Sequence, residues 1–147
     1  MTHSIKFSIH SMIVVCMFLF SSVLFADSYN GDWLDNGSGV TRIGDLKVTD
    51  SSITIKNLIT YSVILDSEDG TVNIYKVKKA NNKTDPLGCG PDGKANYIII
   101  HSLPALAGTQ QSAIRLIFYG RSTPPKMKDI NNDPGVCAVY SFSNKTN

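Results

Sequence analysis

No stretch of this chain keeps a helical period; apolar residues instead alternate with polar ones in short runs that Gly, Asn, Asp and Ser interrupt. Alternation with period two places successive side chains on opposite faces of an extended strand, so a chain of such runs folds as sheet. Leu46 and Val48 share one face with Lys47 on the other, Ile53 and Ile55 repeat the pattern, and Tyr61, Val63 and Leu65 repeat it again. Asp69-Gly70 is the strongest hairpin signal, because glycine accepts the positive φ that a tight turn needs. Two runs are more apolar than the rest, Tyr97-Ile-Ile-Ile100 and Ala113-Ile-Arg-Leu-Ile-Phe-Tyr119; the second is predicted to bury both faces apart from Arg115. Residues 40–43 read as a further short strand, 136–142 as the closing one, and Pro104 as the first position of one helical turn over 103–108. Two long polar loops, 80–94 and 121–134, separate the later strands, and Pro124-Pro125 bars regular structure from the second. The expected fold class is all-β, a small antiparallel β-barrel or sandwich of seven or eight strands with one disulfide. The linear succession of hairpins favours an up-and-down barrel, with a jelly roll or other Greek key as the alternative.

Residues 1–26 read as a secretory signal peptide. Lys6 supplies the positive end, Ile13 to Phe20 the apolar segment, and Ser21 to Ala26 the approach to a cleavage site. The apolar run is shorter than the ~20 residues of a spanning helix. After it no second run is long enough to span, so residues 27–147 are expected to form a single secreted or periplasmic β-rich domain with no membrane span.

Cys16 leaves with the leader, and Cys89 and Cys137 are then the only cysteines. Two cysteines in an exported chain read as one disulfide. With the partners 48 positions apart in the chain, the chain-entropy account gives it roughly 4 kcal/mol. The same pairing removes the thiols from nucleophilic or metal chemistry.

The whole chain has a formal net charge of +2, and loss of Lys6 with the leader lowers it to +1. That is too close to neutral to indicate a nucleic-acid partner. Gly88-Cys-Gly-Pro-Asp-Gly-Lys94-Ala95 has the spacing of a phosphate-binding loop, but Ala95 stands where a hydroxyl must hold magnesium, and the loop leads into a strand rather than a helix. Asp66-Ser-Glu68-Asp69-Gly70 lacks the later Glu of a calcium loop and reads as a hairpin tip. His101 is the only histidine after the leader, which is too few for a catalytic zinc site. Asp32 and Asp35, which flank Trp33, are a carboxylate pair of the kind glycoside hydrolysis uses, but sequence does not supply the separation that the mechanism requires, and they read more simply as a solvated strand end. No catalytic residue, metal or cofactor is expected. Lys76, Lys78, Lys79 and Lys83 make the one local basic run; Lys76 and Lys78 lie on one strand face and point to an anionic surface, or to a charged edge that prevents aggregation.

Gly31-Asp-Trp33-Leu-Asp-Asn36-Gly-Ser38 resembles the opening of lipocalin and avidin-type (calycin) barrels, in which Gly-x-Trp starts the first strand. The resemblance implies that Trp33 plugs the barrel base and that Asn36 and Ser38 lie near a ligand mouth. It spans these eight residues; Trp33 is the only tryptophan, so the walls of a biotin pocket are absent, and the implication concerns the barrel rather than biotin.

These readings converge on an exported, non-catalytic binding protein. The first expectation is a module that binds and inhibits or neutralises another protein, of the inhibitor or immunity type, aimed at a cell-envelope hydrolase. The binding positions are Trp33, Asn36, Lys76, Lys78, Tyr97 and Arg121, and the two polar loops are tied together by Cys89 and Cys137. The alternative is a carrier for a small apolar ligand, its interior lined by Trp33, Ile55, Val63, Tyr97 and Phe118. A secreted hydrolase ranks third, because the inventory of catalytic side chains is thin.

Overall fold

The computed structural model describes residues 29–104 and 112–145; the leader and the helical turn expected over 103–108 fall wholly or largely outside them. Eight antiparallel strands follow one another around a closed barrel: β1 Gly31–Asp35, β2 Leu46–Val48, β3 Ser52–Ile55, β4 Ile59–Asp69, β5 Val72–Ala80, β6 Tyr97–Leu103, β7 Ala113–Tyr119 and β8 Val136–Asn144. Each pairs with its sequence neighbour, and β1 closes the ring on β8 with Trp33 opposite Asn144 and Asp35 opposite Phe142. Closure removes the unpaired edges of an open sheet. Among the described residues no helix is long and apolar enough to cross a membrane.

Alternation assigns most side chains to the interior as read from the sequence. Leu46, Val48, Ile53, Ile55, Tyr61, Ile98, Ile100, Leu116, Phe118 and Phe142 form one buried cluster. Rings fill its centre, with Phe118 5.7 Å from Tyr61 and 6.1 Å from Tyr140 between centroids. At one end Trp33 and Tyr29 close the barrel. The Trp33 indole donates to the Tyr29 carbonyl at 3.0 Å, and the Tyr29 hydroxyl donates to the Thr71 carbonyl across the opening at 2.7 Å. At the other end Leu87 and Ala95 are buried against the same core, with Ile43 and Leu58 packed on it.

β6 and β7 carry apolar residues on both faces because their outer face is covered as well. Val72, Ile74, Tyr97, Ile99, Ile117 and Tyr119 form a second cluster outside the wall, capped by Ile130 of a 3₁₀ segment, Met127–Asn132. Tyr97, expected among the interior-lining residues, therefore faces outward and is buried beneath this segment; strand parity placed it on the opposite face from Ile98. The expected strand over 40–43 is instead a 3₁₀ turn, Gly39–Thr41, and irregular chain. β4 runs through the acidic stretch to Asp69, with a register shift between Leu65 and Ser67, and the hairpin turns at Gly70, whose φ is +53°.

Candidate functional site

In an antiparallel meander the odd-numbered connections emerge at one end. Here those are residues 36–45, 56–58, 81–96 and 120–135, which include the longest described connections. Three of them are organised by an aspartate that accepts from the backbone N–H two residues on, a local bond that competes with strand pairing. Asp35 accepts from Gly37 N at 2.7 Å, and its other oxygen accepts from Ile43 N at 2.6 Å and Gly44 N at 2.8 Å. That carboxylate gathers the whole loop and explains why Val40 to Ile43 do not form a strand. Thr41 completes it, its hydroxyl donating to the Ser38 carbonyl at 2.9 Å.

Asp85 does the same for residues 81–96 from inside the wall. It is 6 % exposed and accepts from Leu87 N and Ala95 N, both at 3.0 Å, and from the Tyr61 hydroxyl in the core. Burial, and then the Asp85 carboxylate, push the Tyr61 phenol far above its usual pKa. Asp133 organises the third loop. It accepts from Gly135 N at 2.8 Å and from the Tyr119 hydroxyl at 3.0 Å, with the Arg121 guanidinium 3.9 Å away. The Gly135 N–H foremost, then Tyr119 and Arg121, hold the Asp133 carboxyl below its ordinary value against a smaller opposing effect of burial.

The last two loops are joined to each other. Cys89 and Cys137 form a disulfide with their Cα atoms 5.2 Å apart. Beside it Gly90 and Gly120 touch backbone to backbone: a Cβ on Gly120 would lie 2.5 Å from Gly90 N. Asn96 adds two bonds, its N–H to the Tyr119 carbonyl at 2.8 Å and its side-chain amide to the Gly120 carbonyl at 2.7 Å. The loop over 120–135 does not protrude with its neighbour, however. Ile130 draws it back along the outer wall, because the apolar face of β5 to β7 has to be covered.

The residues singled out in the sequence fall in distinct places. Trp33 is a core residue at the closed base. Asn36 turns to the outer wall, where its side-chain carbonyl accepts from the Ser143 hydroxyl at 2.9 Å. Lys76 is exposed opposite Ile64 and Tyr97, and Lys78 occupies a bulge between the pairs Val63–Val77 and Ser62–Lys79. Tyr97 supports the third loop, its hydroxyl donating to the Ser122 carbonyl at 3.3 Å, and Arg121 closes the same loop on Asp133. Asp32 is exposed, and Asp35, three residues on, is buried with its carboxylate committed to three N–H groups. The Gly88 to Lys94 string is a turn, with Gly93 at φ +64° and its N–H donating to the Gly90 carbonyl at 2.8 Å.

Two features of this end are absent from the sequence reading. Val40 stands at the tip of the Asp35-anchored loop with its side chain fully exposed (103 %). Lys94 joins Lys78 and Lys79 of the basic run around a cleft of about 240 Å³ where β5 and β6 part. The organising aspartates do carry a local signal, since Asp35-Asn-Gly, Asp85-Pro and Asp133-Pro-Gly are turn-initiating sequences. No protein-family model matches this chain, and no curated protein or solved structure matches it at a significant level.

Proposed function

We propose that this chain is an exported, non-catalytic binding protein that engages another protein through the loop end of its barrel, as an inhibitor or immunity-type partner of a cell-envelope hydrolase. The observation that carries the reading is Val40. A fully exposed β-branched side chain on a loop held by one carboxylate through three backbone bonds is a preorganised apolar anchor. By strand order it sits across the rim from the loop tied down by Cys89. A partner docking on this end meets two ordered loops and loses little entropy in fixing them. The filled interior, stoppered by Trp33 and Tyr29 at one end and by Leu87 and Ala95 at the other, supports a function carried on the surface. The Cys89–Cys137 bond suits an oxidising compartment. The Gly31-Asp-Trp33 opening on a closed meander fits the calycin resemblance at the level of barrel geometry.

The test is native mass spectrometry of the chain captured gently from its host's secreted or envelope fraction. The expected result is a stoichiometric protein adduct, weakened at least about tenfold by Val40→Asp, the order of loss typical when an interface anchor is removed. Circular dichroism of the variant stays unchanged, because the side chain touches no core residue. A small-molecule adduct in place of a protein would overturn the reading in favour of a carrier.

A further inference from the structure

The nearly neutral net charge conceals local clusters. Asp50, Asp66, Glu68 and Asp69 lie on the turns and strand ends opposite the long loops, whereas the loop end carries Arg42, Lys56, Lys78, Lys79, Lys83 and Lys94 interspersed with Asp35, Asp45, Asp85, Asp92 and Asp133. Its lysines have one focus. The bulge at Lys78 re-aims that side chain, so that two successive lysines, Lys78 and Lys79, line the cleft between β5 and the entry to β6, facing Lys94. All three are exposed, and among the described residues none of them forms an ion pair.

The other polar groups of the cleft are committed elsewhere. Asn82 donates to the Leu58 carbonyl at 2.8 Å and Asn96 to the Gly120 carbonyl at 2.7 Å, while both Asp85 oxygens are held by the wall. The lysine ammoniums are therefore the recognising charges. They do not form a phosphate cradle, which uses converging backbone N–H groups. In the glycine turn beside the cleft, Gly90 N and Gly93 N bond within the turn, to Lys94 and Gly90 carbonyls. Three mobile point charges around a concave cleft suit the dispersed carboxylates of an extended chain.

We propose that this cleft is the subsite for an acidic segment of the protein partner, whose Asp or Glu carboxylates pair with Lys78, Lys79 and Lys94. The inference rests on the protein-binding reading above and names the chemistry of the partner's contact. The opposite, acidic end would repel the same segment, so the field orients the partner on approach as well as holding it.

The probe is a labelled hexaglutamate peptide titrated at low salt into the full mature chain, followed by amide NMR. Shifts are expected at residues 78, 79, 94 and 96, and binding that weakens as salt is added. The combined variant Lys78→Glu, Lys79→Glu, Lys94→Glu should weaken the peptide at least about tenfold, since juxtaposed like charges oppose docking. Lys47→Glu, on the outer face of β2, should change the affinity less than twofold. Shifts that map elsewhere, or a triple variant that binds equally well, overturn the proposal. So does inorganic phosphate displacing the peptide at equal concentration, which marks a small-anion site, or phosphatidylglycerol vesicles binding the chain when the peptide does not. A host protein adduct that survives the triple substitution overturns the cleft and leaves the protein-binding reading standing. Absence of any protein adduct on the unaltered chain overturns that reading itself.

Discussion

Replacing Asp85 by Ala is the most informative perturbation of the loop end. The carboxylate is buried and satisfies three donors at once: Leu87 N, Ala95 N and the Tyr61 hydroxyl. A buried donor left without a partner costs about 1–3 kcal/mol, so the three together set an upper bound near ~9 kcal/mol. The true loss is smaller, because Asp85 borders the Lys78–Lys94 cleft and water can enter to serve the two loop N–H groups. We expect about 3–5 kcal/mol, close to the whole stability of a typical domain at its lower limit. Urea denaturation followed by the fluorescence of the single, buried Trp33 measures it at neutral pH. Tyr61→Phe in the same assay removes one donor and is expected to cost about 1–2 kcal/mol. The double variant should then cost less than the sum of the two, since the second change finds its interaction already gone. A loss below about 1 kcal/mol for Asp85→Ala would refute the claim that this carboxylate organises the loop.

Three further outcomes are expected. Replacing Cys89 and Cys137 together by Ala should lower stability by roughly 4 kcal/mol, from the 48-residue separation, and a denaturation midpoint within error of the parent would contradict it. Gly120→Ala should destabilise by about 1–3 kcal/mol as an overpacked backbone contact, because its Cβ would sit 2.5 Å from Gly90 N; a Tm equal to the parent's would show that the two loops are not tightly apposed. At high pH, the folded-state pKa of Tyr61 is raised above its unfolded value. The stabilisation is thus complete below about pH 10 and is lost as pH rises beyond it. Ultraviolet titration should show a late phenol that Tyr61→Phe abolishes, and persistence of that phenol in the variant would count against the assignment. In acid the sign reverses for Asp133, whose folded pKa is depressed. Its contribution is present above the ordinary carboxylate range, around pH 4, and fades as pH falls below it, so NMR signals of the 120–135 loop should broaden before those of β6 unless Asp133 plays no part.

Much of the barrel is legible from local pattern. The parity of Leu46, Val48, Ile53, Ile55, Tyr61 and Val63 assigns their faces, and the structure buries each of them. Parity also separates Tyr97 from Ile98, but only the tertiary fold shows that the outer side of β6 is roofed by Ile130. Val40 read as strand because its neighbours alternate; the three N–H groups drawn to Asp35 override that preference, and a propensity argument does not contain that competition. Lys79 belongs to the basic run with Lys78, but Lys94 is not legible as its neighbour, because the cleft depends on a bulge and on where β5 and β6 diverge.

The sequence by itself determines that this chain is sheet, where its tight turns fall, and which two cysteines pair in residues 27–147, because alternation, turn chemistry and the elimination of partners are all local or compositional. Only the tertiary structure decides that the sheet closes, since that rests on β1 meeting β8 from opposite ends of the described chain. Closure is also what collects the odd-numbered connections at one rim, and with them the exposed Val40, the tethered Cys89 loop and the lysine cleft. Charge follows the same rule: composition reports the sum, and topology decides which lysines share one cleft.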